Sequence, residues 1–452
     1  MFKNRKKELH TLEELYRGKK AKLIVLYGRR RVGKTSLVRE LLQKHAGIYF
    51  LARQETDAEN LKRFSAAISD FFHDPVVSAS PFQNWDAVFL YLNGKLAQER
   101  FIIAMDEFPY LVKANKALPS ILQDNWDNRF LQNNAFIILC GSSISMMERT
   151  LGYQSPLYGR RTEQMLVEPL RFTDACEFFT GIGMEKKIEY YALLGGTPAY
   201  LLEFDYQKSI EENIVQNVLQ STKFLFQDAL FVLREELEEP RYYFTILRSI
   251  ANGKTSLNEI VNETGLDRSL VSKYLAVLMD IHLVRRLISF GDKKKSRKGL
   301  YKIQDPFFKF WFRFVYENEE YIEQGKQEQL FKEKILPFFN RYVGEVFEDI
   351  SFQFVSQHSL FKGFLFSTWW KKEDEIDIVG KSQDKTIFIE AKWRSLSLDE
   401  ANHILEDLKK KVEKHSLSSG TPSAIGIIAK HIIKKESLRR RGFFAFDLSD
   451  FS

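Results

Sequence analysis

The chain is short of the features that mark several large protein classes. Among its 452 residues are two cysteines, Cys140 and Cys176, which excludes a small secreted scaffold stapled by disulfides. Its eight histidines are dispersed, with no paired spacing of the kind that holds zinc. No apolar run approaches the ~20 residues that cross a bilayer; the longest, such as AFIILC, have the length of a strand. The opening MFKNRKKELH is charged and lacks an apolar signal-peptide core, so the chain reads as cytoplasmic, with no membrane partner. With only 11 prolines and 23 glycines and no repeat, it reads as neither collagen-like nor disordered.

What is there suits a soluble globular protein with more than one core: 44% hydrophobic and 28% charged residues, with 39 phenylalanines scattered along the chain. At roughly 150 residues per domain the length predicts about three domains. Lys and Arg number 67 against 60 Asp and Glu, a net charge of +7, which permits an anionic partner without requiring one.

The first chemical signal comes early. AKLIVLY reads as a buried strand, and GRRRVGKTSLVRELLQ follows as a glycine loop opening an amphipathic helix. Gly28, Gly33, Lys34 and Thr35 match G-x-x-x-x-G-K-[ST] in that strand–loop–helix setting. The spacing has a mechanical reason: the glycines let backbone N–H groups curl around phosphates at a helix N-terminus. The nucleotide-binding residues are therefore Gly28, Arg29, Arg30, Arg31, Val32, Gly33, Lys34, Thr35 and Ser36. Lys34 is expected to reach the β- and γ-phosphates and Thr35 to hold Mg²⁺. In RFIIAMDEFPYL, Asp106 ends an apolar strand where it can meet the same Mg²⁺, and Glu107 is placed to polarise the attacking water. A third strand, NAFIILCGSS, delivers Ser142, either a γ-phosphate sensor or the cap of the next helix. PLYGRR carries Arg160 and Arg161, which either neutralise γ-phosphate charge, in this subunit or a neighbouring copy, or form a solvated turn. No N-K-x-D guanine-reading motif follows, which favours ATP over GTP.

YGRRRVGKTSL, MDEFPYL, CGSS, PLYGRR and GGTPAYL together resemble the archaeal-type ATPase family, an AAA-like and STAND-like branch of the P-loop NTPases found in archaea and bacteria. The resemblance covers about the first half of the chain. It implies a doubly wound parallel sheet followed by a helical lid, with Arg5 and Glu8 of an entry motif flanking the nucleotide pocket. It also suggests a hinge at Gly195, Gly196 and Pro198, where the residues themselves read equally as a helix–helix turn.

From Arg241 the pattern changes. YYFTILRSIANG reads as a helix, Ser256 and Glu259 form a capping box for a second, and Asp267 caps a third, RSLVSKYLAVLMD. HLVRRLISF and LYKI then read as strands around a basic wing. On DNA, Arg268, Ser269, Ser272 and Lys273 would face the major groove, and Lys293, Lys294, Lys295, Arg297 and Lys298 would meet phosphates. The same winged helix could instead dock a protein partner.

In the last third, FSTWWKKEDEIDIVG and KTIFIEAKW read as an antiparallel hairpin about GKSQDKT. A centre between Gln383 and Asp384 sets Asp377 opposite Glu390, and Lys392, two residues on, points to the same face as Glu390. Two carboxylates and a lysine at one spot suit metal-dependent phosphodiester hydrolysis. These residues resemble the PD-(D/E)xK nuclease superfamily, and the segments GEVFEDI, WW, EIDIV and EAKW resemble the domain of unknown function that commonly follows this ATPase. The resemblance implies a further carboxylate four residues after a helix glycine, Glu348 after Gly344, with Glu345 as the alternative.

The expected architecture is an α/β chain: a P-loop ATPase core over 1–170, a helical lid over 171–240, a winged helix-turn-helix over 241–304, a helical connector over 305–336 and a small α/β PD-(D/E)xK-like domain over 337–452. The expected function is ATP hydrolysis with Mg²⁺ that controls a DNA-binding winged helix and a C-terminal nuclease-like domain, with a homo-oligomer compatible. The alternative is a non-cleaving, STAND-like nucleotide switch that docks DNA or a protein.

Overall fold

The computed structural model describes residues 3–237, 239–293, 296, 298–418 and 422–451. The chain forms two compact units, Met1–Pro169 with Thr197–Ala199, and Leu170–Gly196 with Tyr200–Ser452.

The first unit is built on five parallel strands, β1 (Lys22–Tyr27), β2 (Gly47–Leu51), β3 (Ile102–Asp106), β4 (Phe136–Gly141) and β5 (Glu163–Leu166), in the order β2-β3-β4-β1-β5. β1, β3 and β4 are near-continuous apolar runs because helices cover both faces of the sheet. Alternate residues feed opposite layers: Leu23 and Val25 enter one core, while Ile24 and Leu26 enter the other with Leu37, Val38 and Leu41 of the P-loop helix Lys34–Lys44. The strand order sets β4 between β1 and β3, so the C-terminal ends of these strands, where ligands bind in such sheets, bring Gly28, Asp106 and Ser142 to one edge.

In the second unit the lid, winged helix, connector and C-terminal domain, which the sequence separates, share one hydrophobic core that runs from Leu170 to Phe446. Gly196 permits a close approach of the chain at the start of this unit. A Cβ there would meet the Leu170 carbonyl oxygen at 1.8 Å, and Leu170 N–H donates to Gly196 O at 2.7 Å. The winged helix comprises helices Pro240–Ala251, Leu257–Thr264 and Arg268–Asp280 with the antiparallel pair β6 (Val284–Leu287) and β7 (Leu300–Ile303). The Ser256–Glu259 capping box forms and Gly265 turns the chain at φ 66°. Asp267 stands at the N-cap position of the third helix but makes no side-chain cap bond, which corrects the role expected for it. Phe307, Phe308, Phe310, Trp311, Phe312 and Phe314 are all buried, so the aromatic connector is core.

The C-terminal sheet has the order β12-β11-β10-β9-β8, with β8 (Leu365–Lys371), β9 (Asp374–Lys381), β10 (Thr386–Leu396), β11 (Ser423–Ile432) and β12 (Phe444–Phe446). FSTWWKKEDEIDIVG, expected as one arm of a hairpin, is itself folded into the hairpin β8–β9, turning at Lys372 with φ 57°. The long helix Leu336–Gln357 packs on one face of the sheet through Val343, Val346, Phe347 and Ile350. Helix Leu398–Lys414 covers the other through Leu405, Leu408 and Val412.

Candidate functional site

Two constellations stand out, one in each unit. In the first, the P-loop is shaped by positive φ at Gly28 (150°), Arg31 (68°) and Gly33 (99°). Gly28 is required by space as well as conformation, since a Cβ there would meet the Val167 carbonyl oxygen at 2.2 Å. Lys34 is buried, and its ammonium donates to the carbonyl oxygens of Gly28 (2.7 Å) and Arg29 (2.8 Å) across the loop. Thr35 Oγ1 and the Tyr49 hydroxyl both donate to Asp106 Oδ2, each at 2.7 Å. Burial, and then the Asp106 carboxylate, raise the pKa of Tyr49, which keeps it a donor to that oxygen. No local motif marks Tyr49; its signal is its place on β2, two residues before Leu51, which pairs with Asp106.

Glu107 occupies the left-handed region (φ 55°) at the head of the next helix, and its Oε2 accepts from the backbone N–H of Ser142 at 3.2 Å. The helix Ile144–Leu151 is capped by Ser143, not Ser142. Arg30 donates to the Tyr110 hydroxyl at 2.9 Å, while Arg29 is buried, Val32 is core and Ser36 is exposed. Arg5 is buried and ties the entry segment to the loop: its guanidinium donates to Glu8 (2.8 Å), Val32 O (2.7 Å) and Glu168 O (2.6 Å). Arg160 is paired with Asp127 at 2.9 Å, and Arg161 lies over the Tyr158 ring and donates to Gln164 Oε1. The partners of both arginines thus lie outside the P-loop and Asp106. The Thr35 hydroxyl and Asp106 carboxylate, already in contact, are hard oxygen donors of the kind Mg²⁺ takes.

The second constellation lies where β9 and β10 run antiparallel. The pairing Ile389↔Ile378 carries on to set Asp377 beside Glu390. Asp377 Oδ2 accepts from Ala391 N–H (2.8 Å) and from Lys392 Nζ (3.2 Å), and Lys392 Nζ also donates to Glu390 Oε2 at 2.6 Å. Glu390 is only 3% exposed. An unpaired carboxylate so buried costs several kcal/mol, and two ammonium groups offset this: Lys392, and Lys411, which donates to Glu390 Oε1 at 3.0 Å. Burial, and then the neighbouring Asp377, still push the Glu390 pKa up, to about 7. Burial opposes the charge on Lys392, but Asp377 and Glu390 outweigh it and hold that pKa up. Lys411 belongs to the basic run KKKVEK, and nothing local marks it out; it reaches the site because its helix packs on the sheet through Leu408 and Val412.

On the long helix, Glu348 and Glu345 part company. Glu345 is bound by Lys309 (2.8 Å) and Arg313 (3.0 Å) of the connector, and these cations hold its pKa down against burial. Glu348 lies toward Asp377; burial, and then that carboxylate, raise its pKa. Its nearest cation, Lys302 on β7, is 3.8 Å away. One residue on, Asp349 is bonded to Arg285 of β6. Asp377 and Glu390 have the donor chemistry for a divalent ion, with Glu348 a further carboxylate nearby. Among the described residues no three carboxylate, histidine or cysteine side chains are gathered at metal-holding distance.

On the winged helix, Arg268, Ser269, Ser272, Lys273, Lys293 and Lys298 are all exposed, and Arg268 donates to Asn258 Oδ1 at 2.6 Å. Lys294, Lys295 and Arg297, expected to meet phosphates, lie outside the described residues.

Three family descriptions match the chain. An ATPase domain predominantly from Archaea matches residues 2–204, the bacterial regulatory proteins of the arsR family match 245–286, and archaeal and bacterial proteins of unknown function match 311–404. An uncharacterized protein of Methanocaldococcus jannaschii is 32% identical over the full length of both chains. A second protein of that organism, described as an uncharacterized ATP-binding protein, is 53% identical over 53 residues, 11% of this chain and 90% of its own. Among solved structures, the Walker-type ATPase of Pyrococcus abyssi is similar, with a TM-score of 0.54 and 25% identity, covering 69% of this chain and 96% of its own. Among the described residues no helix is long and apolar enough to cross a membrane.

Proposed function

Because the chain belongs to the archaeal-type ATPase family, we propose that it hydrolyses ATP and uses the nucleotide state to control a DNA-binding winged helix and a Mg²⁺-dependent nuclease site of the PD-(D/E)xK kind. In the first unit, the P-loop backbone and Lys34 would hold the phosphates, Thr35 and Asp106 the Mg²⁺, and Glu107 would orient the attacking water while its bond to Ser142 N–H sets its direction. A relative described as ATP-binding supports this half of the reading. In the second unit, Asp377 and Glu390 would hold a divalent ion, with Glu348 nearby. Bound there, the ion would polarise water and the scissile phosphate. Lys392 would hold its proton, its charge stabilised by both carboxylates.

The observation that carries the nuclease reading is the convergence of Asp377, Glu390 and Lys392 from two paired strands, with Glu390 buried and its pKa raised by that burial and by Asp377. Buried ionisable groups with displaced pKa values cluster at functional sites. The test is a Mg²⁺-dependent cleavage time course on supercoiled, linear and single-stranded DNA, run with ATP, with ADP and without nucleotide. Cleavage by the wild-type chain that is lost in Glu390→Ala, with ATP turnover intact, is the expected result. Equal cleavage by the variant would remove the assignment.

A second reading, the non-cleaving switch, draws on a different observation. The winged helix already engages the acidic helix through Arg285 on Asp349 and Lys302 near Glu348. ATP turnover without cleavage on any DNA substrate would favour it.

A further inference from the structure

Between the winged helix and the C-terminal sheet, both within the second compact unit, runs a cleft of about 890 Å³. Its walls are held by hydrogen bonds to the main chain of β8. Phe290 N–H donates to Thr368 O at 2.8 Å, and Ser289 Oγ both accepts from Trp370 N–H (3.0 Å) and donates to Trp370 O (3.1 Å). The wing is therefore anchored along β8, and the space beside it is preformed.

Two properties of the lining point to a ligand. The first is charge. Arg268 and Lys298 on the winged-helix side face Lys371 and Lys372 at the β8–β9 turn, against one acidic lining residue among those described, Asp292. All four cations are exposed. Lys372 keeps its charged side chain at a positive φ of 57°, where glycine would sit without strain. The second is aromatic surface: Phe290 and Trp370 line the cleft and are half-buried, so each keeps part of a ring open to it. A preformed basic groove with aromatic faces is the chemistry that holds a single nucleic-acid strand, phosphates on the cations and bases on the rings. A duplex keeps its bases stacked inside and makes no use of the rings. The cleft also adjoins the acidic site. Trp369, Trp370 and Leu300 line both it and a small cavity, about 70 Å³, bordered by Glu348 and Asp377.

We propose that this cleft binds one strand of nucleic acid, with its phosphates on Arg268, Lys298, Lys371 and Lys372 and its bases against Phe290 and Trp370, beside the Asp377–Glu390 site. The proposal rests on the DNA-directed reading above and makes the C-terminal domain, not the winged helix alone, part of the nucleic-acid surface.

The test uses the full chain and fluorescence anisotropy with a labelled oligo(dT) and a duplex of equal length, titrated with salt. Wild-type protein is expected to prefer the single strand. The double variant Lys371→Ala/Lys372→Ala is expected to lose about tenfold in affinity and to flatten the salt slope by roughly 1.4, at about 0.7 for each single-strand phosphate contact removed. The control Lys409→Ala/Lys410→Ala removes the same charge from exposed positions on helix Leu398–Lys414, outside the cleft lining, and is expected to change neither. If wild-type protein binds but both double variants behave alike, the cleft is overturned while DNA binding by the winged helix stands. Preference for the duplex overturns the single-strand assignment. Absence of wild-type binding to either probe overturns the cleft and the DNA-directed reading together.

Discussion

Lys302, on the second strand of the winged-helix hairpin, lies 3.8 Å from Glu348 on the long helix of the C-terminal domain. Its charge is sustained against burial by Asp349 first and Glu348 next, with Asp377 contributing. The winged helix is thus a source of positive charge for the acidic site beside it. Arg285 on the neighbouring strand acts on Asp349 in the same way.

A cation placed among carboxylates competes with a divalent ion for them. Lys302→Gln is therefore expected to raise the affinity of the C-terminal site for Mg²⁺ several-fold. The measurement is the rise in melting temperature with MgCl₂, which should set in at lower concentration in the variant. An unchanged midpoint would show that Lys302 does not act on the ion site.

Glu390 contributes a pH dependence of stability opposite in sign to that of paired carboxylates such as Asp374 and Glu345. Its folded pKa, about 7, lies above the value of 4.5 expected of it in the unfolded chain. Its contribution to stability is therefore fully present below about 4.5 and is lost as the pH rises through about 7. Glu390→Gln removes the Glu390 share of that dependence and leaves the one that Glu348, raised by the same causes, contributes. In EDTA, the melting temperature of the variant minus that of wild type should become more positive from pH 5 to pH 8.5. A constant difference would mean that Glu390 is ionised throughout.

Lys34 closes the P-loop on itself through Gly28 O and Arg29 O, and would turn to phosphate when nucleotide enters. Lys34→Ala is expected to reduce ATP turnover by at least about a hundredfold, the scale seen when one preorganised stabiliser of transition-state charge is removed. Phosphate release measures it, with oligo(dT) binding as the check that the second unit is intact.

The Glu107–Ser142 contact separates two roles. Because Glu107 is held by the backbone N–H of residue 142, Ser142→Ala keeps that bond. Glu107→Gln should retain ATP binding and lose turnover, whereas Ser142→Ala should show the smaller loss that belongs to the hydroxyl. Equal losses would mean that the serine hydroxyl matters as much as the carboxylate, and turnover retained in Glu107→Gln would remove Glu107 from the role.

Where chemistry depends on neighbours in the chain, the residues could be read directly. The P-loop is a local object: glycine spacing, a lysine and a threonine at a helix start need only the strand before and the helix after. The pairing of Asp377 with Glu390 was equally legible, because a short loop fixes the register of the strands it joins. The split of the preceding segment into β8 and β9 was not, since Lys372 takes a turn conformation that its residue type does not announce. That Ser143 and not Ser142 caps the next helix turned on one residue of backbone geometry.

By itself, then, the sequence determined the nucleotide loop, the acidic strand ends, the capping box of the winged helix and the Asp377–Glu390–Lys392 set. Each is specified by spacing within one element or across one tight turn. Tertiary structure alone decided that Tyr49 would share Asp106 with Thr35, that Lys411 would compensate Glu390, that Lys302 and Arg285 would face the acidic helix, and that a basic aromatic cleft would open beside the wing. These contacts join residues far apart in the chain. They arise because burying the apolar faces of separate elements in one core fixes where their polar edges meet, and no local pattern encodes that docking.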